Sequence, residues 1–305
     1  MPSPWEGKHI WIWYLDQCGE SPQEIIAQAV RLGLSGLLVK AWDGSSFWPQ
    51  IKDIISPAHA AGLLVGAWGY SYGTSPWEEA KAARQAMAAG ADWLIIDAEQ
   101  EYDHPRGREM AKRMQTVFRG IFPATPIGFT SFGIPSLHPD FPYDAFWGWC
   151  DVFMPQVYWG LFDMPVDAAL ARSIGDCQRM GMKIRIAPVG QCYGNVRVDD
   201  ITRFGELAEN AGLPGISYYD WQHASSGQLL AVGAAPYERR VPKVADTAPE
   251  WQRKIIEDAL TEGLITQHHD PTEVAPKWFV LETELNLLRK VKQLIQDATA
   301  TKKAG

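Results

Sequence analysis

Cysteine is scarce: four residues in 305, at positions 18, 150, 177 and 192. With no CxxC pair among them, they supply neither a structural zinc site nor the disulfide framework of a small secreted domain, and they read as reduced thiols. No apolar run approaches the roughly 18 residues that a membrane-spanning helix needs. Positive charge is short as well. The chain has 28 Lys and Arg against 36 Asp and Glu, a formal net charge of -8, so it lacks the basic surface that displaces counterions from nucleic acid. None of the seven histidines falls in HxH or HExxH spacing, so neither a catalytic metal nor any other cofactor is expected. There is no GxSxG elbow and no GxxxxGKS/T phosphate loop, which sets aside the usual α/β-hydrolase and nucleotide-binding readings. The first residues carry neither a basic segment leading into an apolar one nor a small-residue cleavage site, so no secretory signal is expected.

What the sequence does have is alternation. Short apolar runs at 9–14, 36–40, 63–70, 93–97, 126–130, 152–156, 183–189 and 215–219 are separated by amphipathic stretches. Continuous hydrophobic runs suit strands buried on both faces, and eight βα units predict a (β/α)8 TIM barrel over residues 1–235. Ser21 before Pro22, and Ser75 before Pro76, are N-cap signals for the first and third helices. Glycines at 33, 62, 90, 181 and 212 are helix stops. Residues 236–249 are rich in proline, without periodicity, and read as a linker. Residues 250–298 carry two helical patterns and predict a small helical C-terminal module.

In such a barrel the functional groups sit at the C-terminal ends of the strands. That rule nominates Trp13, Tyr14 and Asp16 on strand one, Lys40, Trp42 and Asp43 on strand two, and Trp68, Tyr70 and Tyr72 on strand three. Strand four adds Asp97, Glu99 and Glu101. Strand six adds Gln156, Tyr158 and Trp159, strand seven Gln191 and Tyr193, and strand eight Tyr219, Asp220 and Trp221. Residues two apart on a strand share a face, so Asp97 and Glu99 are expected to point together into the mouth. Two adjacent carboxylates cannot both ionise freely, which suits one of them to general-acid chemistry. Glu99, longer and further out, is the expected acid. Asp97 is expected to hold its proton or orient a substrate group, and Asp220 to face the pair from strand eight. Indole and phenol rings at these strand ends suit the C–H faces of sugars, so the expected partner is a polysaccharide. Lys40 has two readings, a partner for the acidic cluster or a Schiff-base nucleophile.

Three segments in this order, residues 37–44 (LLVKAWDG), 58–67 (AHAAGLLVGA) and 94–99 (LIIDAE), resemble family 25 glycoside hydrolases, the lysozyme-like muramidases. In that resemblance Asp16 and Asp220 match further acidic positions. Asp97-Ala-Glu99 with Met154-Pro-Gln-Val-Tyr158 also resembles family 18, the chitinase-like hydrolases, although Ile95 stands where that motif has another aspartate. The second likeness implies that Glu99 protonates the leaving group, Asp97 orients the substrate's acetamido group and Tyr158 contacts it. The tail, with Trp251, Gly263-Leu-Ile265 and Trp278, is similar to helical repeats that attach proteins to cell walls. Together these imply a hydrolase of an N-acetylated glycan, peptidoglycan above all, held in the cytoplasm until an endolysin-like release to the wall. The alternatives are a non-catalytic carbohydrate-binding barrel and a lyase or aldolase using Lys40.

Overall fold

The expected strand regions form strands because nearly every residue in them is removed from water. The computed structural model describes residues 3–237. In it Gly7–Ile12 (β1), Gly36–Asp43 (β2), Leu64–Ser71 (β3), Trp93–Ala98 (β4), Ile127–Phe132 (β5), Val152–Val157 (β6), Val189–Gln191 (β7) and Gly215–Tyr219 (β8) run parallel. Each pairs with the next, and β8 pairs back onto β1, closing a (β/α)8 barrel. The helices Pro22–Arg31 (α1), Lys52–Ala60 (α2), Pro76–Ala89 (α3), Gly107–Ile121 (α4), Tyr143–Trp147 (α5), Val166–Arg179 (α6), Val198–Asn210 (α7) and Ser226–Ala234 (α8) follow the strands in turn. A capping box at Ser21 and Glu24 starts α1, as the sequence predicts. Gly90, at φ 111°, ends α3 in the left-handed conformation that a side chain would oppose. The expected helical module at 250–298 and most of its linker lie outside the described residues. No helix among the described residues is long and apolar enough to cross a membrane.

Several strands differ from the expectation in their bounds, the second running on to Asp43 rather than stopping at Lys40 and the fifth to Phe132 rather than Thr130. The first ends at Ile12 rather than at Tyr14, because the Trp13 and Tyr14 amides donate instead to the Gln222 side-chain oxygen, both at 2.9 Å. The seventh is broken. Arg185–Ile186 and Val189–Gln191 each pair with β6, and Pro188, which has no N–H to give a ladder, stands between them.

The pleat sorts side chains into two cores. Inside the barrel, Trp5, Trp11, Leu38, Trp68, Trp93 and Ile95 are packed with Val152, Met154 and Val189. Glycines opposite the large rings make room: a Cβ at Gly66 would lie 2.7 Å from the Trp93 indole nitrogen. The outer layer, between sheet and helices, holds most of the remaining apolar residues.

One buried carboxyl belongs to this scaffold. Glu79 of α3 accepts from Ser71 Oγ at 2.6 Å and from the Gly73 amide at 2.9 Å, and Ser71 shares a 2.6 Å hydrogen bond with Tyr102. Burial is the largest influence on it and raises its pKa from 4.5 to about 7, against the pull of these donors. A group raised on folding adds stability that is complete below its unfolded pKa and is lost as pH climbs through the folded one. Glu79→Gln, which cannot titrate, is therefore expected to gain roughly 2–3 kcal/mol relative to wild type between pH 5 and pH 8. Unfolding free energies of both proteins in urea at the two pH values check this, and parallel values would contradict it.

Candidate active site

Strand β4 delivers the central pair. Asp97 is 8% exposed and Glu99, just beyond the strand end, is half-buried. Between them stands the Gln156 amide from β6, whose Nε2 donates to Glu99 Oε1 at 2.7 Å and to Asp97 Oδ1 at 3.2 Å. Burial raises the Asp97 carboxyl well above the ordinary carboxylate range, the Glu99 charge and a hydrogen bond that protonated Asp97 donates to Glu99 push it further, and the Lys40 ammonium pulls it back. The pair therefore keeps its last proton to higher pH than an isolated carboxyl would, and Asp97 is the group whose affinity is raised.

Lys40 is 3% exposed. Its Nζ lies 2.6 Å from Asp43 Oδ2 and 4.6, 5.0 and 5.1 Å from the ring centroids of Trp48, Trp68 and Trp13, a cage that favours a cation. The arrangement depends on a bulge. Lys40 pairs with Trp68 but Trp42 pairs with Gly69, so Ala41 is an extra residue in β2. Strict alternation would put Trp42 in the mouth with Lys40 and turn Asp43 away. The bulge reverses both. Asp43 returns beside Lys40 and accepts from Tyr72 at 3.0 Å, while Trp42 is fully buried in the outer layer, where a Cβ on Gly69 would fall 2.0 Å from its ring.

Other predicted residues divide by the same parity. Trp13, Tyr158 and Tyr219 pack on the interior cluster, and Tyr70 donates to Glu101 at 2.6 Å. Burial, followed by the charge of neighbouring groups that include Asp97 and Glu99, drives the Tyr158 and Tyr219 hydroxyls well above their ordinary range, so both remain protonated donors. The Gln191 amide is already engaged. Its oxygen accepts from the Gly160 amide at 2.9 Å and its nitrogen donates to Tyr193 O at 3.3 Å, so it braces the loop after β6. Tyr14 and Asp16 line a neighbouring cleft instead. Asp220, expected to face the pair, turns the other way. Tyr219 points inward against Trp11, whereas Asp220 is buried with its carboxylate 2.9 and 3.0 Å from His223 Nδ1. Trp221 is likewise in the outer layer, its indole donating to Glu20, and Trp159 stacks there on Phe204. Among the described residues no three His, Cys, Asp or Glu side chains are grouped to hold a metal.

Three residues of this site escaped sequence reasoning: Trp48, Gln50 and Gln222. All lie in the connections beyond the C-terminal ends of β2 and β8, Gln50 and Gln222 in single 3-10 turns, so a search extended several residues past each strand end finds them. Gln50 donates to Trp13 O at 2.7 Å and to Lys40 O at 2.9 Å while accepting from the Leu15 amide at 2.9 Å. With Gln222 it fixes the Trp13–Tyr14 backbone at the mouth.

No family model matches the sequence, and no curated protein matches it. Solved structures do match in fold. A variant of a class V chitinase from Nicotiana tobaccum, in complex with NAG4, superposes with a TM-score of 0.60 at 10% identity, over 75% of this chain and 98% of that one. The spore cortex-lytic enzyme SleL of Bacillus megaterium gives 0.54 at 9% identity, over 75% of this chain and 74% of that one. The chitinase-like agglutinin of Robinia pseudoacacia gives 0.55 at 8% identity, over 74% and 98%. At these identities the likeness is one of fold.

Proposed function

We propose that this protein is a glycoside hydrolase acting on an N-acetylated glycan, with Glu99 as its general acid. The observation that carries the reading is the Asp97–Glu99 pair, bridged by Gln156 at the mouth of the barrel. In this reading the proton held by the pair passes to Glu99 as the glycan excludes water, and Glu99 delivers it to the leaving oxygen as the glycosidic bond breaks. The substrate's own acetamido oxygen closes on the anomeric carbon, oriented by Asp97 and by the Tyr158 hydroxyl. Water, deprotonated by Glu99, then opens that intermediate with retention. Lys40, committed to Asp43 and three indole faces, balances the negative charge of the mouth, an arrangement that counts against a Schiff-base role.

Peptidoglycan is our preferred substrate. The muramidase-like segments favour it, and so does the name of SleL, a spore cortex-lytic enzyme. An endolysin-like release to the cell wall, with the C-terminal helices as a wall-attachment module, fits that substrate. One observation favours a second reading: an agglutinin is among the barrels of like fold, so a carbohydrate-binding barrel without turnover is the rival. Purified protein mixed with chitin oligosaccharides and with bacterial cell walls separates the two. New reducing ends are expected. Retention on the glycan with no reducing ends released would favour the rival.

A further inference from the structure

Beside the mouth, between the loops after β1 and β2, lies a cleft of about 620 Å3. Its floor is aromatic. The Tyr14 and Trp48 rings lie 5.1 Å apart, and Tyr14 stacks on Trp13 at 5.3 Å. The same Trp48 ring lies 4.6 Å from Lys40 Nζ, so this floor is continuous with the mouth. The floor is also held in place: Gln222 accepts from the Trp13 and Tyr14 amides, and Gln50 ties Trp13 O to Leu15 N and Lys40 O. A ring platform fixed by its own backbone loses little conformational freedom when a ligand stacks on it.

The rim has one sign of charge. Asp16, Glu20 and Asp53 line the cleft with no Lys or Arg among the lining residues, and Asp16 and Asp53 are exposed. Glu20 accepts only the long 3.3 Å hydrogen bond from Trp221, and no ion pair among the described residues neutralises any of the three. A pyranose on this floor would present its ring substituents to carboxylates. A neutral acetamido group offers such a rim a single N–H donor, whereas a protonated 2-amino group brings three donors and a full positive charge.

We propose that this cleft binds a part of the glycan that carries a free, protonated amino group, so that the protein prefers partly de-N-acetylated chains that reach beyond the Asp97–Glu99 pair. The inference rests on the glycan-binding half of the functional reading, not on turnover. Its test is therefore a binding measurement. Calorimetry on Glu99→Gln compares a fully acetylated chitin tetramer with its fully de-N-acetylated counterpart, with and without Asp16→Asn, Glu20→Gln and Asp53→Asn combined.

The de-N-acetylated tetramer is expected to bind about tenfold tighter in low salt, the sum of three partly exposed charge contacts. That advantage is expected to fall towards one at about 300 mM NaCl, where the screening length is short, and in the triple variant, while binding of the acetylated tetramer stays the same. Asp43, Glu99 and Glu101 in the mouth would also attract an amine, and the triple variant leaves them untouched apart from Glu99→Gln. A preference that survives in it would overturn the assignment to this cleft, as would equal binding of the two tetramers or binding of neither. Binding of the de-N-acetylated tetramer alone, lost in the triple variant, would uphold the cleft and sink the N-acetylated substrate instead. An unchanged melting temperature shows that the triple variant is folded, and Trp48→Ala, which removes the floor, is expected to weaken both tetramers.

Discussion

Glu99→Gln is expected to cut glycan cleavage by at least ~10³-fold, the upper range for loss of a general acid and about 4 kcal/mol of transition-state stabilisation. The amide keeps nearly the volume of the carboxyl, and its oxygen still accepts from Gln156 at the 2.7 Å position. Glu99 lies just past the end of β4 and is half-buried, so no core contact depends on its charge. Melting temperature and circular dichroism should therefore match wild type while the rate of reducing-end formation collapses. Turnover at the wild-type rate would remove Glu99 from the chemistry.

The second large effect concerns where the proton is kept. Asp97 is buried and its carboxyl is raised, first by burial and then by Glu99, so it is the group that retains a proton in the pair as pH rises. Asp97→Asn removes that store. The expected result is a fall in kcat of roughly 10²-fold, the low end for a group assisting proton transfer. The pH–rate profile should change shape as well. Its alkaline limb is expected to move to lower pH, because the raised carboxyl of Asp97 no longer keeps the proton in the pair. A profile of unchanged shape with a lower plateau would mean that Asp97 acts by orientation alone. A rise in KM without change in kcat would place it in substrate binding.

Lys40 limits how far Asp97 rises. Its ammonium opposes the rise of Asp97, and its contacts with Asp43, Trp13, Trp48 and Trp68 hold it there. The mouth thus combines a protonatable pair with a fixed cation, surrounded by tyrosine hydroxyls that stay protonated.

Much of this was legible in the sequence. The eight buried strands follow from near-continuous apolar runs, and the α1 cap from Ser21 and Glu24, because these signals are local and arise from the chain's own hydrogen bonding and burial. Asp97 and Glu99 share a face for the same reason: a two-residue period is a property of any strand. Three things needed the tertiary structure. The extra residue at Ala41 exchanges the faces of Trp42 and Asp43, and a bulge is set by pairing with β3, not by β2 itself. Asp220 is assigned to the mouth if position at a strand end is taken for orientation, whereas its carboxylate is paired with His223. Gln50 and Gln222 act from single 3-10 turns past the strand ends, and their partners at Trp13 and Tyr14 are far away in the sequence. Local periodicity thus determined the barrel and its acid pair. Which strand-end side chains face that pair was decided by contacts between strands and loops, which appear only once the barrel has closed.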